Sequence, residues 1–388
     1  MRRIYLDHHA TTPLDPRVRA AMRPWWEEEF GNPHSAEHAM GRAAEAAVEA
    51  AREAVAEMIG AEAREIVFTS GATEANNLAI KGAARFDREM PRRRVITVAT
   101  EHKCVLESVR DLAAEGFEPV ILPVGRDGLL DLDTLRAALA VPTRLVSVMA
   151  VNNETGAIQD LAAIGALAKA SGALFHTDAA QAAGRIALDV EAIGADLVSL
   201  SAHKMYGPKG VGALYVRRRP RVRLAPLFSG GGQERGLRSG TLPTPLVVGM
   251  GEAARIAAGE GLLDAGRLAQ NGAAFLDALR AAVPGLILNG PTGPARVAGN
   301  LNLTFPGVPA AALMAALPEL MLSTGSACTS AEVAPSHVLT AMGIGAEAAA
   351  RTLRIGLGRF TSPAELQQVA ASIGAAWQRL ASTPAAAE

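Results

Sequence analysis

Lys204 has the surroundings most suggestive of chemistry in this sequence. An apolar run at residues 197–200 ends in Ser201, Ala202 and His203 directly before it, and glycine and proline follow shortly after it. A lysine at the end of a buried strand is partly desolvated, so its amine can be neutral and nucleophilic and can form a Schiff base. Because a lysine in a turn is more commonly an ordinary surface residue, the interpretation depends on the other polar residues of the chain.

An acidic residue lies one strand–helix unit before Lys204. Asp178 and Gln181 follow the apolar run at residues 174–177 and could face the same ligand. A carboxylate at such a position can keep the nitrogen of a pyridine ring protonated, as a cofactor used as an electron sink requires. The alternative is that Asp178 caps the next helix. The acid and the strand-terminal lysine together are more specific than either residue alone.

Two other strand-end loops contain candidate ligands. The stretch 69–77 (TSGATEANN) predicts a glycine turn that opens a helix, where backbone N–H groups and the Thr73 hydroxyl suit a phosphate. His102 follows the apolar run at residues 95–99 and could stack on a ring or move protons near neutral pH. Each signal is weak alone, because many helices begin with simple glycine or threonine caps and many loop histidines only complete local hydrogen bonds.

Three further residues could act on a substrate. Asn153 lies in a strand-end loop whose amides could hold a carboxylate or a ring oxygen. Cys328 lies in a loop of small residues, so its thiol should be reachable, whereas Cys104 precedes an apolar pair and is predicted to be structural. Arg354 could clamp a carboxylate bidentately, with a structural salt bridge as the alternative. The glycine-rich stretch 230–241 lacks the spacing of a phosphate-binding loop of nucleotide enzymes, and that interpretation is excluded.

Composition excludes several classes of protein. The chain has 49% hydrophobic and 20% charged residues, which is typical of a globular protein and not of a disordered one. A net charge of -1 argues against binding to nucleic acid or to a membrane surface. There is no apolar run near the roughly 20 residues that a membrane span requires, and the N-terminus does not resemble a signal peptide. Two cysteines fit a reducing cytoplasm, so we expect a cytoplasmic protein.

The order of the predicted elements indicates an α/β fold. From about residue 64, short apolar runs alternate with helical patterns, which predicts a mostly parallel sheet covered by helices on both faces. Ligands bind such sheets at the loops that follow the carboxyl ends of the strands. After about residue 260 the pattern changes to a helix, a strand at 301–305, a small-residue loop, a strand at 353–357 and a final helix. A length of 388 residues fits one large domain and one smaller α+β domain.

These motifs resemble those of a known family. The chain is similar to the class V aminotransferase group of fold type I pyridoxal-phosphate (PLP) enzymes, and within it to the cysteine desulfurases of the group I iron–sulfur-cluster type. The resemblance runs nearly end to end and rests on residues 5–13 (YLDHHATTP), 69–77, 101–103 (EHK), 151–154 (VNNE), 203–210 (HKMYGPKG), 238–243 (RSGTLP) and the 326–330 loop (SACTS). The sequence differs from the common pattern at His8 and His9, at Ala202, where glycine is frequent, and at His337, where tyrosine is frequent.

The resemblance implies a role for each candidate residue. Lys204 would bind PLP covalently, Asp178 would pair with the pyridine nitrogen, Gln181 with the ring oxygen, and His102 would stack on the ring and take part in catalysis. The phosphate would be held by Ala72, Thr73, Ser201 and His203, and Ala202 would also bind the cofactor. Asn153 and Arg354 would bind the substrate carboxylate, with Asn153 also near the cofactor, and Cys328 would be the nucleophile. Thr241 would reach the phosphate of the cofactor in a second subunit, which implies a homodimer.

By the same resemblance, the protein removes sulfur from L-cysteine, giving L-alanine and a persulfide on Cys328. Residues 15–258 would form the PLP-binding large domain, and residues 1–14 and 259–388 the small domain with the cysteine loop and Arg354. The sulfur would pass to an acceptor such as an iron–sulfur scaffold protein. No resident metal is expected, although Cys328 could briefly contact a nascent cluster on a partner. The alternatives are a selenocysteine lyase or an aminotransferase on the same fold, and a non-catalytic sulfur-trafficking subunit.

Overall fold

A seven-stranded sheet forms the centre of the large part of the structure, as the alternating apolar runs predict. The computed structural model describes residues 3–87, 91–324 and 335–382. The strands of all its sheets together are β1 (Ile4–Tyr5), β2 (Ile66–Thr69), β3 (Arg94–Val98), β4 (Glu118–Leu122), β5 (Thr143–Ser147), β6 (Leu174–Asp178), β7 (Leu197–Ser201), β8 (Gly212–Val216), β9 (Ile287–Leu288), β10 (Asn300–Thr304), β11 (Leu320–Met321) and β12 (Thr352–Gly356). Its helices are α1 (Pro16–Glu27), α2 (Ala39–Met58), α3 (Ala72–Phe86), α4 (Lys103–Asp111), α5 (Leu132–Ala138), α6 (Leu161–Ser171), α7 (Thr244–Ala282), α8 (Ala310–Ala315), α9 (His337–Ala341), α10 (Ala346–Ala350) and α11 (Pro363–Ala381).

The strand order of the large sheet determines where a ligand can bind. The order is β2-β8-β7-β6-β5-β3-β4, with β7, β6, β5, β3 and β4 parallel and with β8 antiparallel to both of its neighbours. The chain goes from β3 outward to β4 and then back to β5 on the other side of β3. Such a switch point opens a crevice at the carboxyl ends of the strands. The residues that follow β3 and β5 therefore lie at this crevice.

The sheet is buried on both faces because successive apolar residues of its strands point alternately to one face and to the other. In β2, Ile66 and Phe68 pack into one hydrophobic cluster and Val67 into another on the opposite side. In β3, Ile96 and Val98 belong to the first cluster and Val95 to the second. Successive side chains of a strand point to opposite faces, so continuous apolar strands require helices on both sides. The predicted α/β fold class is confirmed.

A third cluster forms the core of the rest of the chain. It combines Ile4 and Leu6 near the N-terminus with residues of α7, β10, β12 and α11. β9, β10 and β12 make a three-stranded antiparallel sheet in which β10 is central, and β1 pairs with β11 in a separate two-stranded sheet. The N-terminal strand thus packs with elements from the last third of the chain.

Two elements differ from the sequence expectation. α7 begins at Thr244, whereas the sequence pattern predicts a helix only after about residue 260. The pattern does not reveal the earlier start because the first half of α7 is packed on more than one side and has no clear polar face. A Cβ at Gly249 would lie 2.7 Å from the Met22 sulfur, and one at Gly251 would lie 2.6 Å from Ala51 Cα, so these glycines let α7 pack closely on α1 and α2. The apolar run at residues 145–151 predicts a strand over its whole length, but β5 ends at Ser147 and the buried apolar residues after it belong to a loop. Within the described residues, no helix is long and apolar enough to cross a membrane.

Candidate active site

A cavity of about 570 Å³ lies at the carboxyl ends of the parallel strands. It is lined by ten of the residues singled out from the sequence, namely Ala72, Thr73, His102, Asn153, Asp178, Gln181, Ser201, His203, Lys204 and Arg354. Ala202 is fully buried beside it, and its N–H donates to the Val211 carbonyl. The topology thus gathers side chains from several separate loops into one site.

Lys204 lies in a single 3₁₀ turn, Ala202–Lys204, that follows β7 directly. Its Nζ donates to the His9 carbonyl at 2.7 Å and to the Ala10 carbonyl at 2.8 Å. The side chain is only partly exposed to solvent. The N-terminal segment therefore passes beside the amine and positions it in the cavity.

Asp178 is the last residue of β6 and is 5% exposed. Its Oδ1 accepts from the Ala180 N–H at 2.9 Å, and its Oδ2 accepts from Asn76 Nδ2 at 2.7 Å. Gln181 lies one turn further on and donates through Nε2 to the His9 carbonyl at 2.8 Å. Hydrogen bonds to both oxygens fix the orientation of the Asp178 side chain.

The N-terminus of α3 opens onto the same cavity. Gly71 precedes it with φ of +150°, a conformation that favours glycine, and no side chain of the described residues caps the helix. A Cβ at Gly212 of β8 would lie 2.7 Å from Gly71 Cα, so this turn packs directly on the neighbouring strand. The first N–H groups of a helix without a side-chain cap, with their positive dipole end, suit an anion. Burial, followed by the charges of Lys204 and Lys209, lowers the pKa of nearby His203 to about 4.

His102 caps α4, and its Nδ1 accepts from the Cys104 N–H at 3.2 Å. Burial lowers the pKa of His102, while the negative charge of Asp178 opposes that shift and the charges of Lys204, His337 and Lys103 add to it. The imidazole is consequently neutral near neutral pH.

Arg354 projects from β12 and is 3% exposed. Its Nη2 donates to Asp7 Oδ1 at 2.7 Å, and its Nη1 donates to the Asn153 carbonyl at 3.1 Å. Its Nε is buried and finds no hydrogen-bond acceptor within the part of the chain that the structure describes. Arg354 also lines the cavity, so its guanidinium group is suited to an anionic group that enters there.

One predicted residue of the described structure lies apart from the cavity walls. Thr241 is exposed and follows Gly240, which has φ of +118°. It does not line the cavity of its own chain. Cys328 lies outside the described residues, between the described positions Thr324 and Pro335.

Comparisons with known proteins agree with this arrangement. Residues 4–369 match the family model of the class V aminotransferases. The chain is 52% identical to cysteine desulfurase IscS of Rickettsia bellii, over 94% of this chain and 88% of the relative, and it matches the IscS proteins of Rickettsia akari and Rickettsia africae to the same extent. The chain belongs to the cysteine desulfurases of the class V aminotransferase family.

Solved structures show the same fold for this desulfurase. A NifS-like protein superimposes with a TM-score of 0.90 at 36% identity, covering 97% of this chain and all of the other. A structure described as SspA in complex with cysteine has a TM-score of 0.81 at 38% identity, covering 92% of this chain and 99% of that one. The family resemblance inferred from the motifs is confirmed, together with the fold.

The structure also places in the desulfurase site two residues for which the motifs predict no role. His9 lines the cavity, its carbonyl accepts from both Lys204 and Gln181, and its Nδ1 lies 3.1 Å from Gln181 Oε1. Asn76 lies within the stretch 69–77, but only its position on α3, one turn from the glycine, reveals its bond to Asp178. The unusual His8-His9 pair was the one feature of the sequence that could have indicated a role for His9 in the site. No feature of the sequence indicated the contact of Asn76 with Asp178.

Cys104 is the other unexpected member of the wall. It was predicted to be structural, and it lines the cavity next to His102 and Asn76. Burial, together with the negative charge of Asp178, raises the pKa of its thiol to about 12. Cys104 therefore remains a thiol under physiological conditions and is a poor nucleophile.

Proposed function

We propose that this cysteine desulfurase binds PLP in the 570 Å³ cavity and transfers the sulfur of L-cysteine to Cys328. In this reaction the Cβ–S bond of cysteine breaks and an S–S bond to Cys328 forms, giving L-alanine and an enzyme persulfide. The observation that supports the proposal best is the gathering of Lys204, Asp178 and Arg354 around one cavity. The names of the related proteins support the same activity.

The residues present fit PLP at both of its ends. The open first turn of α3, with Thr73 and Ser201 beside it, would hold the phosphate through N–H and O–H donors. Asp178 would hold the pyridine nitrogen, and its two oxygens are already oriented by Ala180 and Asn76. When bound, PLP supplies an electron sink that labilises bonds at the substrate α-carbon.

Lys204 would hold the cofactor covalently, and its amine would carry protons at the substrate α-carbon. Its amine lies 2.7 Å from the His9 carbonyl, which keeps the side chain inside the cavity. His102 would cover the cofactor ring from the α4 side, and Gln181 would pair with the ring oxygen. A neutral imidazole is suited to this place because it adds no positive charge next to a protonated pyridine.

Arg354 would bind the carboxylate of L-cysteine, with Asn153 beside it. Its Nη atoms are fixed by Asp7 and by the Asn153 carbonyl, so the guanidinium group is held in one orientation at the cavity wall. A carboxylate held there places the amino group and Cβ of the substrate between Arg354 and Lys204. The thiolate of Cys328 would then attack the substrate sulfur.

The remaining expectations are proposed on the same basis. Residues 1–14 and 259–388 would form the small domain, which the shared core of Ile4, Leu6, α7 and α11 supports, although the boundary at residue 258 falls within the continuous helix α7. The exposed position of Thr241 suits contact with the cofactor of a second copy of the chain. The persulfide sulfur would pass to an acceptor protein such as an iron–sulfur scaffold in the cytoplasm.

The direct test of the proposed activity is the variant Lys204→Ala. The wild-type protein should show the visible absorbance of lysine-bound PLP and release L-alanine from L-cysteine, and the variant should lose both. Lys169→Ala, which changes an exposed lysine of α6, is the matched control and should retain both. Undiminished alanine release by Lys204→Ala would contradict the proposal.

A further inference from the structure

Cys104 and His102 are joined by two contacts at the start of α4. Cys104 Sγ lies 3.0 Å from His102 Nδ1, and the backbone N–H of Cys104 donates to the same ring atom at 3.2 Å. A backbone N–H is always a donor, so Nδ1 accepts a hydrogen bond and has no hydrogen of its own. The ring hydrogen of the neutral imidazole is then on Nε2.

Asn76 determines the direction of the thiol hydrogen. Its Nδ2 donates to Asp178 Oδ2 at 2.7 Å, and an ionised carboxylate only accepts, so the orientation of the amide is fixed. The same Nδ2 lies 3.2 Å from Cys104 Sγ, which makes the sulfur an acceptor on this side. The S–H hydrogen can then point to His102 Nδ1, since burial and the Asp178 charge keep the thiol protonated, and the Thr73 hydroxyl is the other side-chain hydrogen-bonding neighbour of the sulfur.

We propose that Cys104 is a positioning residue for His102: its S–H group donates to Nδ1 and, with the backbone N–H, keeps the ring hydrogen on Nε2. Asn76 extends this chain of hydrogen bonds to Asp178, so one network orients both the acid and the imidazole on the cavity wall. This inference rests on the proposed function for its use in the reaction. It implies that His102 meets the cofactor and substrate as a hydrogen-bond donor and not as a base.

The electrostatic surroundings of His102 are compatible with this assignment. Asp178 favours the protonated imidazole, whereas Lys204, His337 and Lys103 disfavour it, and burial disfavours it most. Buried Glu101 precedes it in the chain, and burial also raises the pKa of that carboxyl, which reduces its negative charge. Removing the S–H donor should raise the pKa of His102, because a hydrogen bond to the lone pair of Nδ1 stabilises the neutral ring.

The variants Cys104→Val and Cys104→Ser test the role of the thiol hydrogen. Valine is similar in size but cannot donate, while serine restores a donor. We expect Cys104→Val to raise the pKa of His102 by about half a pH unit, which corresponds to the loss of one hydrogen bond, and Cys104→Ser to return it most of the way. Ser108→Ala removes a different side-chain hydrogen bond of α4, to the Cys104 carbonyl, and is the matched control.

Two measurements on the full-length, PLP-loaded protein decide the outcome. Ring ¹⁵N spectra of histidine-labelled protein, with His102 assigned by His102→Gln, should show the Nε2–H form in both proteins, because the backbone N–H remains in Cys104→Val. The Nδ1 resonance of the variant should shift toward that of a nitrogen lone pair without a second donor. The acidic limb of the pH profile of kcat/KM should shift to higher pH in Cys104→Val, and it should not shift in Ser108→Ala. An Nδ1–H ring in wild type, or a Cys104→Val protein identical to wild type in its ring spectra, would overturn the proposal. An inactive wild-type protein would contradict the proposed function instead, and the ring spectra would still decide the role of Cys104.

Discussion

The two walls of the cavity are built in different ways. One wall consists of side chains that follow strands of the seven-stranded sheet and that contact one another, as Asp178 does Asn76 and His102 does Cys104. The other wall is Arg354, from an antiparallel sheet, held by Asp7 near the N-terminus and by the Asn153 carbonyl. The first wall is thus organised within itself, and the second depends on contacts between distant parts of the chain.

Two further contacts join these parts next to the cysteine loop. Ser336 Oγ donates to Glu154 Oε2 at 2.6 Å, and His337 Nε2 lies 2.9 Å from the Glu101 carbonyl. Both glutamates follow strands of the large sheet, and Ser336 caps α9. We call the wall with Asp178, His102 and Lys204 the rigid wall, because its side chains are organised along the edge of one sheet, and the wall with Arg354 the joined wall, because it depends on contacts between distant parts of the chain. From this difference we expect the rigid wall to hold the cofactor and the joined wall to place the substrate and its sulfur.

The largest effect on the rigid wall is expected from Asp178→Asn. Asparagine keeps the size of the side chain but cannot hold the pyridine nitrogen in its protonated form. We expect kcat to fall by roughly 10²–10³-fold, the range seen when one preorganised electrostatic group is lost. Desulfurase assays and the absorbance spectrum of bound PLP measure the effect. Asp160→Asn, at the exposed cap of α6, should leave both unchanged, and equal losses in the two variants would contradict the role of Asp178.

A smaller and different effect is expected from Arg354→Lys. Lysine keeps the charge but loses the planar fork that binds Asp7, the Asn153 carbonyl and a substrate carboxylate together. We expect KM for L-cysteine to rise about 10- to 100-fold, which corresponds to one charge-assisted hydrogen bond, with PLP binding unchanged. Arg351→Lys is the control, because Arg351 pairs with Glu347 on the surface. A loss of PLP binding in Arg354→Lys would show that the two walls do not divide the work in this way.

The smallest effect is expected from Ser336→Ala. The variant leaves one buried oxygen of Glu154 without its donor, which costs about 1–3 kcal/mol of stability. We expect a several-fold slower formation of the persulfide with an unchanged PLP spectrum. Ser362→Ala removes a serine cap of the same kind from α11, far from Glu154, and separates loss of a cap from loss of the joining contact. If both variants slow persulfide formation equally, the contact with Glu154 has no special role.

The sequence predicted the rigid wall better than the joined one. Parallel strands bring their carboxyl ends to a common edge, so His102, Asp178 and Lys204 could be placed near one another from the apolar runs alone. The residues that hold these side chains could not be predicted. The contact of Asn76 with Asp178 depends on where α3 lies against the sheet, and the contact of His9 with Lys204 depends on the N-terminal segment passing beside a residue far away in the chain. The start of α7 was missed because its small, apolar residues lack a polar face.

The central claim is that sulfur from L-cysteine is transferred to Cys328. The most direct measurement is tandem mass spectrometry of the wild-type, PLP-loaded protein after brief incubation with L-cysteine and alkylation without a reductant. The chain has two cysteines, so the spectra distinguish the peptide with residue 328 from the peptide with Cys104. We predict one added sulfur atom on Cys328, in an amount matching the L-alanine released in the first turnover, and none on Cys104. Alanine release without added sulfur on Cys328, or added sulfur on Cys104, would contradict the account.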